Sequence, residues 1–203
     1  SEFHSNLGTI LKDIGKLEEA QMSTEKAIEL NSELVGNYLN LAKINRLQGD
    51  LIYSTNYFKR ILKLKSSDKG NKFETLVNIT LNYLIQGDFS NMKIYLEEIK
   101  KYNRKKAIEF IKHKESRIFT FVFSSYLAKL YNDLDKEKYK YSVNRLPHIG
   151  ESHCLSFSHQ LIRLSTQQKY IQPVFIAGSK AWHLSNQKQN QFKSSFEKQI
   201  LNH

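Results

Sequence analysis

A set of small and apolar residues returns along this chain at a fixed spacing. Leu7-Gly8, Leu11, Gly15, Ala20 and Ala27 recur 34 residues later as Leu41-Ala42, Asn45, Gly49, Ser54 and Ile61. After a four-residue insertion around Ser66 to Gly70 they recur as Ile79-Thr80, Tyr83, Gly87, Met92 and Ile99. A period of this length belongs to a repeated supersecondary unit. Small residues fit where two helices of a hairpin cross. A glycine fits the turn between them, because it ends a helix in the left-handed conformation without a Cβ penalty. The pattern predicts helices over 2–14 and 17–30, 36–48 and 51–64, and 73–86 and 89–102. Hairpins like these cannot bury their faces singly. Stacking supplies the core and leaves a concave surface.

Composition agrees with a mainly helical protein. There are only two prolines and eight glycines, and 40% of the residues are hydrophobic, enough for a core. No apolar run approaches the roughly 20 residues of a membrane span, and no membrane partner is expected. The opening Ser-Glu-Phe-His reads as no signal peptide. With a single cysteine, a reducing, cytoplasmic setting is expected.

The repeated positions resemble the tetratricopeptide repeat over residues 1–102, most closely in the first hairpin and most loosely in the third, where Thr80 and Met92 replace small residues. The resemblance implies an α–α superhelix with a groove lined by the first helix of each pair. Asn6, Asn40 and Asn78 occupy one repeated position that faces such a groove. The run from Ser5 to Gly15 is similar to the superhelical arm of O-linked N-acetylglucosamine transferases, in which an asparagine ladder holds the backbone of an extended peptide. A primary amide carries both donor and acceptor, so it can pair with any peptide unit. Asparagine in local helix bonding is the plainer alternative. Lys12, Lys43 and Arg46 are further groove-facing candidates. At Val77, Leu81 and Leu84 the groove becomes apolar. There it takes a partner, or the chain's own next helix covers it.

That next helix is legible in Ile118, Phe119, Val122, Phe123, Tyr126, Leu127, Leu130 and Tyr131, whose spacing gives a wide apolar face. Residues 103–135 read as a degenerate repeat or helical cap, and the aromatics as core rather than a binding platform. The net charge of +11 is concentrated between Lys100 and Arg117, opposed by Glu109 and Glu115. A solvated helix face accounts for it. Weak polyanion binding is the functional alternative.

Residues 136–145 read as a linker and 146–203 as a small, incomplete α/β segment. Strands are expected over 146–149 and 172–177, and helices over 154–167 and 189–201. The pieces Ile149-Gly150-Glu151-Ser152-His153, Gly178 to His183 and Asn190 to Lys193 resemble SGNH-hydrolase-like domains that follow tetratricopeptide repeats in some bacterial proteins. The resemblance implies Ser152 as acyl nucleophile and Gly178 as an oxyanion glycine. Glu151 stands where the family carries aspartate, and no Asp-x-x-His follows, so the general base is missing. Serine as a helix N-cap is the alternative. His148, His153, His159, His183 and Cys154 fit no structural zinc spacing. No metal and no cofactor are expected.

The expectation is therefore a protein–protein interaction scaffold that holds a peptide or protein segment in its groove. A serine-dependent acyl esterase or acyltransferase is the alternative reading. An unfinished sheet edge adds the expectation of homo-oligomers through the C-terminal segment.

Overall fold

The computed structural model describes residues 1–133, 145–150, 161–164, 167–175 and 189–201. Helices run in pairs: α1 (Glu2–Asp13) with α2 (Leu17–Leu30), α3 (Val35–Leu47) with α4 (Leu51–Lys63), and α5 (Lys69–Gln86) with α6 (Phe89–Lys100). α2 packs on α3 and α4 on α5, so the pairs stack into an α–α superhelix. Gly15, Gly49 and Gly87 close the turns at φ of 85°, 87° and 73°. The amides after them reach back to the carbonyls of Leu11, Asn45 and Tyr83 at 2.9–3.0 Å, which satisfies carbonyls that a helix end leaves open.

The crossings explain the small residues. A Cβ on Gly8 would lie 2.3 Å from Thr24 Oγ1, and that hydroxyl donates to the Ala20 carbonyl at 2.7 Å. In the second pair Ala42 and Ser54 are fully buried at the same place, and in the third Thr80 and Met92 are. The insertion before the third pair ends in helix, which begins at Lys69. Asp68 accepts from the Asn71 amide at 2.7 Å, and this cap starts α5 four residues earlier than the repeat period predicts. Gly36, in the first turn of α3, differs from the other glycines because nothing lies within 4 Å of a Cβ placed there. Gly36→Ala is expected to raise stability by a few tenths to about 1 kcal/mol, through helix propensity alone. Urea unfolding of the two proteins checks it.

The apolar end of the groove is covered from within the chain. α7 (Arg104–Glu109) and α8 (Lys114–Asp133) both pack against α5. Val77, Leu81 and Leu84 are fully buried, and Phe123, Leu127 and Leu130 of α8 join the same core cluster. The approach is close at Gly70, where a Cβ would stand 2.8 Å from the Phe110 backbone.

Three strands follow: β1 (Arg145–Gly150), β2 (Leu161–Leu164) and β3 (Gln167–Phe175), in sheet order β1-β3-β2. β1 is parallel to β3, with Arg145 opposite Tyr170 and Gly150 opposite Phe175. β2 is antiparallel, with Leu161 opposite Tyr170 and Leu164 opposite Gln167. The helix expected over 154–167 is corrected at Leu161–Leu164, which is strand. Four residues of apolar character do not separate the two periods, and pairing along β3 decides between them. Pro173 sits in the half of β3 that β2 does not reach, a place where its missing N–H costs no ladder bond on that side.

The last helix, α9 (Gln191–Leu201), returns to the start of the chain. Asn190 caps it by accepting from the Phe192 and Lys193 amides at 3.1 and 3.0 Å. Ser194 Oγ donates to the Gly15 carbonyl at 2.7 Å, and Gln199 Nε2 to the Leu47 carbonyl at 3.5 Å. Lys198 pairs with Glu18 and, as its hydrogen-bond donor, holds that carboxyl below the ordinary glutamate range. Five residues of helix advance ~7.5 Å, close to the 8–10 Å between packed helices. One side of α9 can thus meet the ends of α1 and α3 together.

Candidate functional site

α1 and α3 lie side by side, and each sets residues three and four apart on one face. From α1 come Ser5, Asn6, Thr9 and Lys12. From α3 come Leu39, Asn40 and Lys43. His113 and Ser116, at the start of α8, and Gln191, at the start of α9, complete a cleft of about 990 Å³. A second recess of about 350 Å³ shares Leu39, Lys43, His113 and Ser116 and adds Asp68, Asn71, Glu74 and Ile111. Lys43 stands between the two.

The three asparagines meet different surroundings. Asn6 is exposed. Asn40 donates from Nδ2 to Thr9 Oγ1 at 3.4 Å and to Thr24 Oγ1 at 3.3 Å. Its carbonyl oxygen accepts no hydrogen bond among the described residues. Asn78 is 1% exposed. Its Nδ2 donates to the Glu74 carbonyl of its own helix at 2.9 Å, and its Oδ1 is buried with no partner. The expected ladder is therefore corrected to two accessible rungs. The third is buried because the concave side of α5 is built into the core beneath α8.

Lys12 lines the cleft and pairs with Asp13 at 3.0 Å. Lys43 reaches Glu74 at 3.4 Å, and that carboxylate side chain is 5% exposed. Arg46 is not among the residues lining the cleft. Its guanidinium lies 5.8 Å from the centre of the Phe58 ring. Burial lowers its pKa to about 10, against the opposing pull of Glu74. Its Nη1 is buried without a hydrogen-bond partner among the described residues. The groove-facing role expected for Arg46 is corrected to one in the packing between helices.

His113, Ser116, Glu74 and Gln191 were not among the sequence candidates. Glu74 lies within the helix that the repeat pattern predicts over 73–86, but nothing singles it out there, and it is buried against the side of the groove. The other three reach the cleft because α8 and α9 fold back over it, and no local signal encodes that. Ser152 and Gly178 lie outside the described residues. Among the described residues no group of three or more His, Cys, Asp and Glu side chains could hold a metal ion. No helix there is long and apolar enough to cross a membrane.

The arrangement offers amide, hydroxyl and ammonium groups along a helical face. It can hold an extended polar chain by hydrogen bonds. Residues 1–34 match the family model of the tetratricopeptide repeat. No curated protein matches the chain. The matched hairpin and the two that stack behind it make residues 1–100 a tetratricopeptide-like α–α superhelix, a fold that supports, at a general level, a scaffold for protein–protein interaction.

Proposed function

We propose that the chain binds an extended peptide segment of a partner protein in the cleft between α1 and α3. Asn6 and Asn40 hold its main chain. The observation that carries this reading is that Asn40, whose carbonyl oxygen accepts no hydrogen bond among the described residues, and the exposed Asn6 both line the cleft. A peptide N–H donates to the one, and a peptide C=O accepts from the other. Binding of this kind tolerates varied side chains, because it reads the backbone. Thr9 and Ser5 add hydroxyls on the same face. Lys12 and Lys43 give the site a net preference for acidic neighbours on the peptide, moderated by their own pairing with Asp13 and Glu74.

Asn6→Ala together with Asn40→Ala is expected to weaken a display-selected peptide by roughly 5- to 150-fold, from two hydrogen bonds of about 0.5–1.5 kcal/mol each. Asn78→Ala is expected to leave that affinity unchanged, since the side chain is not accessible. Calorimetric titration measures both. Equal affinity for the double variant and the parent would end the backbone-holding mechanism.

A further inference from the structure

We propose that the outward side of α8, with the tip of α7, docks onto the surface of an anionic lipid bilayer. α8 is apolar on two sides. Phe123, Leu127 and Leu130 face the core. On the other side Ile118 is 56%, Phe121 37% and Val122 53% exposed, and Phe110 at the end of α7 is 55% exposed. Positions 118, 121, 122 and 125 lie along one helical stripe. A second, exposed apolar stripe on a helix whose first is already in the core marks a surface that something covers.

The charges around this patch indicate what covers it. Lys114 and Arg117 precede the stripe and Lys129 follows it, all exposed. Lys105, Lys106 and Lys112 flank Phe110, also exposed. Among the described residues none of these lysines has an ion pair, whereas neighbouring Lys100 and Lys101 pair with Glu97 and Glu98. Arg104 lies 4.6 Å from the centre of the Phe121 ring, which fixes that ring in place.

Three occupants can be compared. A second copy related by a two-fold axis sets lysine against lysine across the patch and is repelled. A nucleic acid meets the charges and leaves Ile118 and Val122 against sugar and phosphate. An anionic bilayer satisfies both parts. The apolar side chains enter the boundary of the acyl chains, and the lysines reach the head groups along their stems. Lysine in place of arginine suits a diffuse anionic layer better than paired carboxylates on a protein. No described helix can cross a bilayer, so the attachment is peripheral. It departs from the sequence expectation of no membrane partner, and it stands independently of the peptide cleft.

The test is flotation of the 203-residue chain with phosphatidylcholine vesicles, with and without phosphatidylserine, at about 0.15 M salt. The chain is expected to float only with the phosphatidylserine vesicles. Lys105→Glu with Lys106→Glu should reduce binding by about fivefold or more per charge. Ile118→Ser with Val122→Ser should reduce it by at least about tenfold and leave retention on heparin unchanged. Absence of flotation with phosphatidylserine vesicles overturns the proposal. So does a serine double variant that floats like the parent, which would reduce the patch to a general polyanion site. The parent chain alone gives a check that needs no variant. Insertion leaves part of the binding at about 0.5 M salt, and complete release there overturns the proposal.

Discussion

Leu127→Ala is expected to lower the unfolding free energy by about 2–5 kcal/mol. Leu127 is fully buried in the middle of α8 and belongs to the core cluster that includes Val77, Leu81 and Leu84 of α5. Truncation removes three carbons, the Cγ and both methyls, from a contact between two helices packed in one core. The cavity therefore collapses only in part, and the cost includes lost packing as well as transfer. Val122→Ala, five residues away on the exposed side of the same helix, is the control and should change stability by less than about 0.5 kcal/mol. Urea unfolding of the three proteins separates them. A Leu127→Ala protein as stable as the parent would show that α8 is an appendage and that the concave side of α5 is stable without it.

Gly15→Ala is expected to be at least about 1 kcal/mol more destabilising than Gly49→Ala, although both residues hold the same left-handed turn. Each substitution carries the left-handed penalty of about 1–2 kcal/mol. The difference comes from α9. A Cβ on Gly15 would stand 2.6 Å from the Asn190 carbonyl oxygen and 2.7 Å from its carbon, both backbone. At Gly49 the nearest atom is Gln199 Cγ at 3.3 Å, on a flexible side chain that can turn away. Alanine at position 15 therefore drives α9 off its seat and breaks the Ser194 bond to the Gly15 carbonyl. Hydrogen exchange in α9 should speed up in Gly15→Ala and stay slow in Gly49→Ala. Equal exchange in both would mean that α9 does not rest on this turn.

The superhelix was legible because its determinants are local. Gly15, Gly49 and Gly87 mark turns whose geometry depends only on their neighbours, and Ala20, Ser54 and Met92 mark crossings inside single hairpins. The site was legible in part. Asn6, Asn40 and Asn78 share a repeat position, and only the apolar neighbours Val77, Leu81 and Leu84 set the third apart, without deciding between a partner and the chain's own helix as its cover. What separates them is α8, about forty residues further on, packed over one rung and not the other two. The same limit hides His113 and Gln191, which reach the cleft only through tertiary packing. Residues 161–164 were misread for a different reason: a run that short carries no distinguishing period, and its partner strand decides the outcome.

The return of α9 to the first two hairpins has a consequence for how the molecule comes apart. In an array where each unit touches only its neighbours, the terminal unit frays first and at little expense to the rest. Here the first hairpin is bonded through Gly15 to Ser194, 179 positions away along the chain. Loosening it requires releasing α9 as well. The array behaves as a closed circuit, with slower assembly because a long-range contact must form, and with α1 and α2 opening only when α9 lets go.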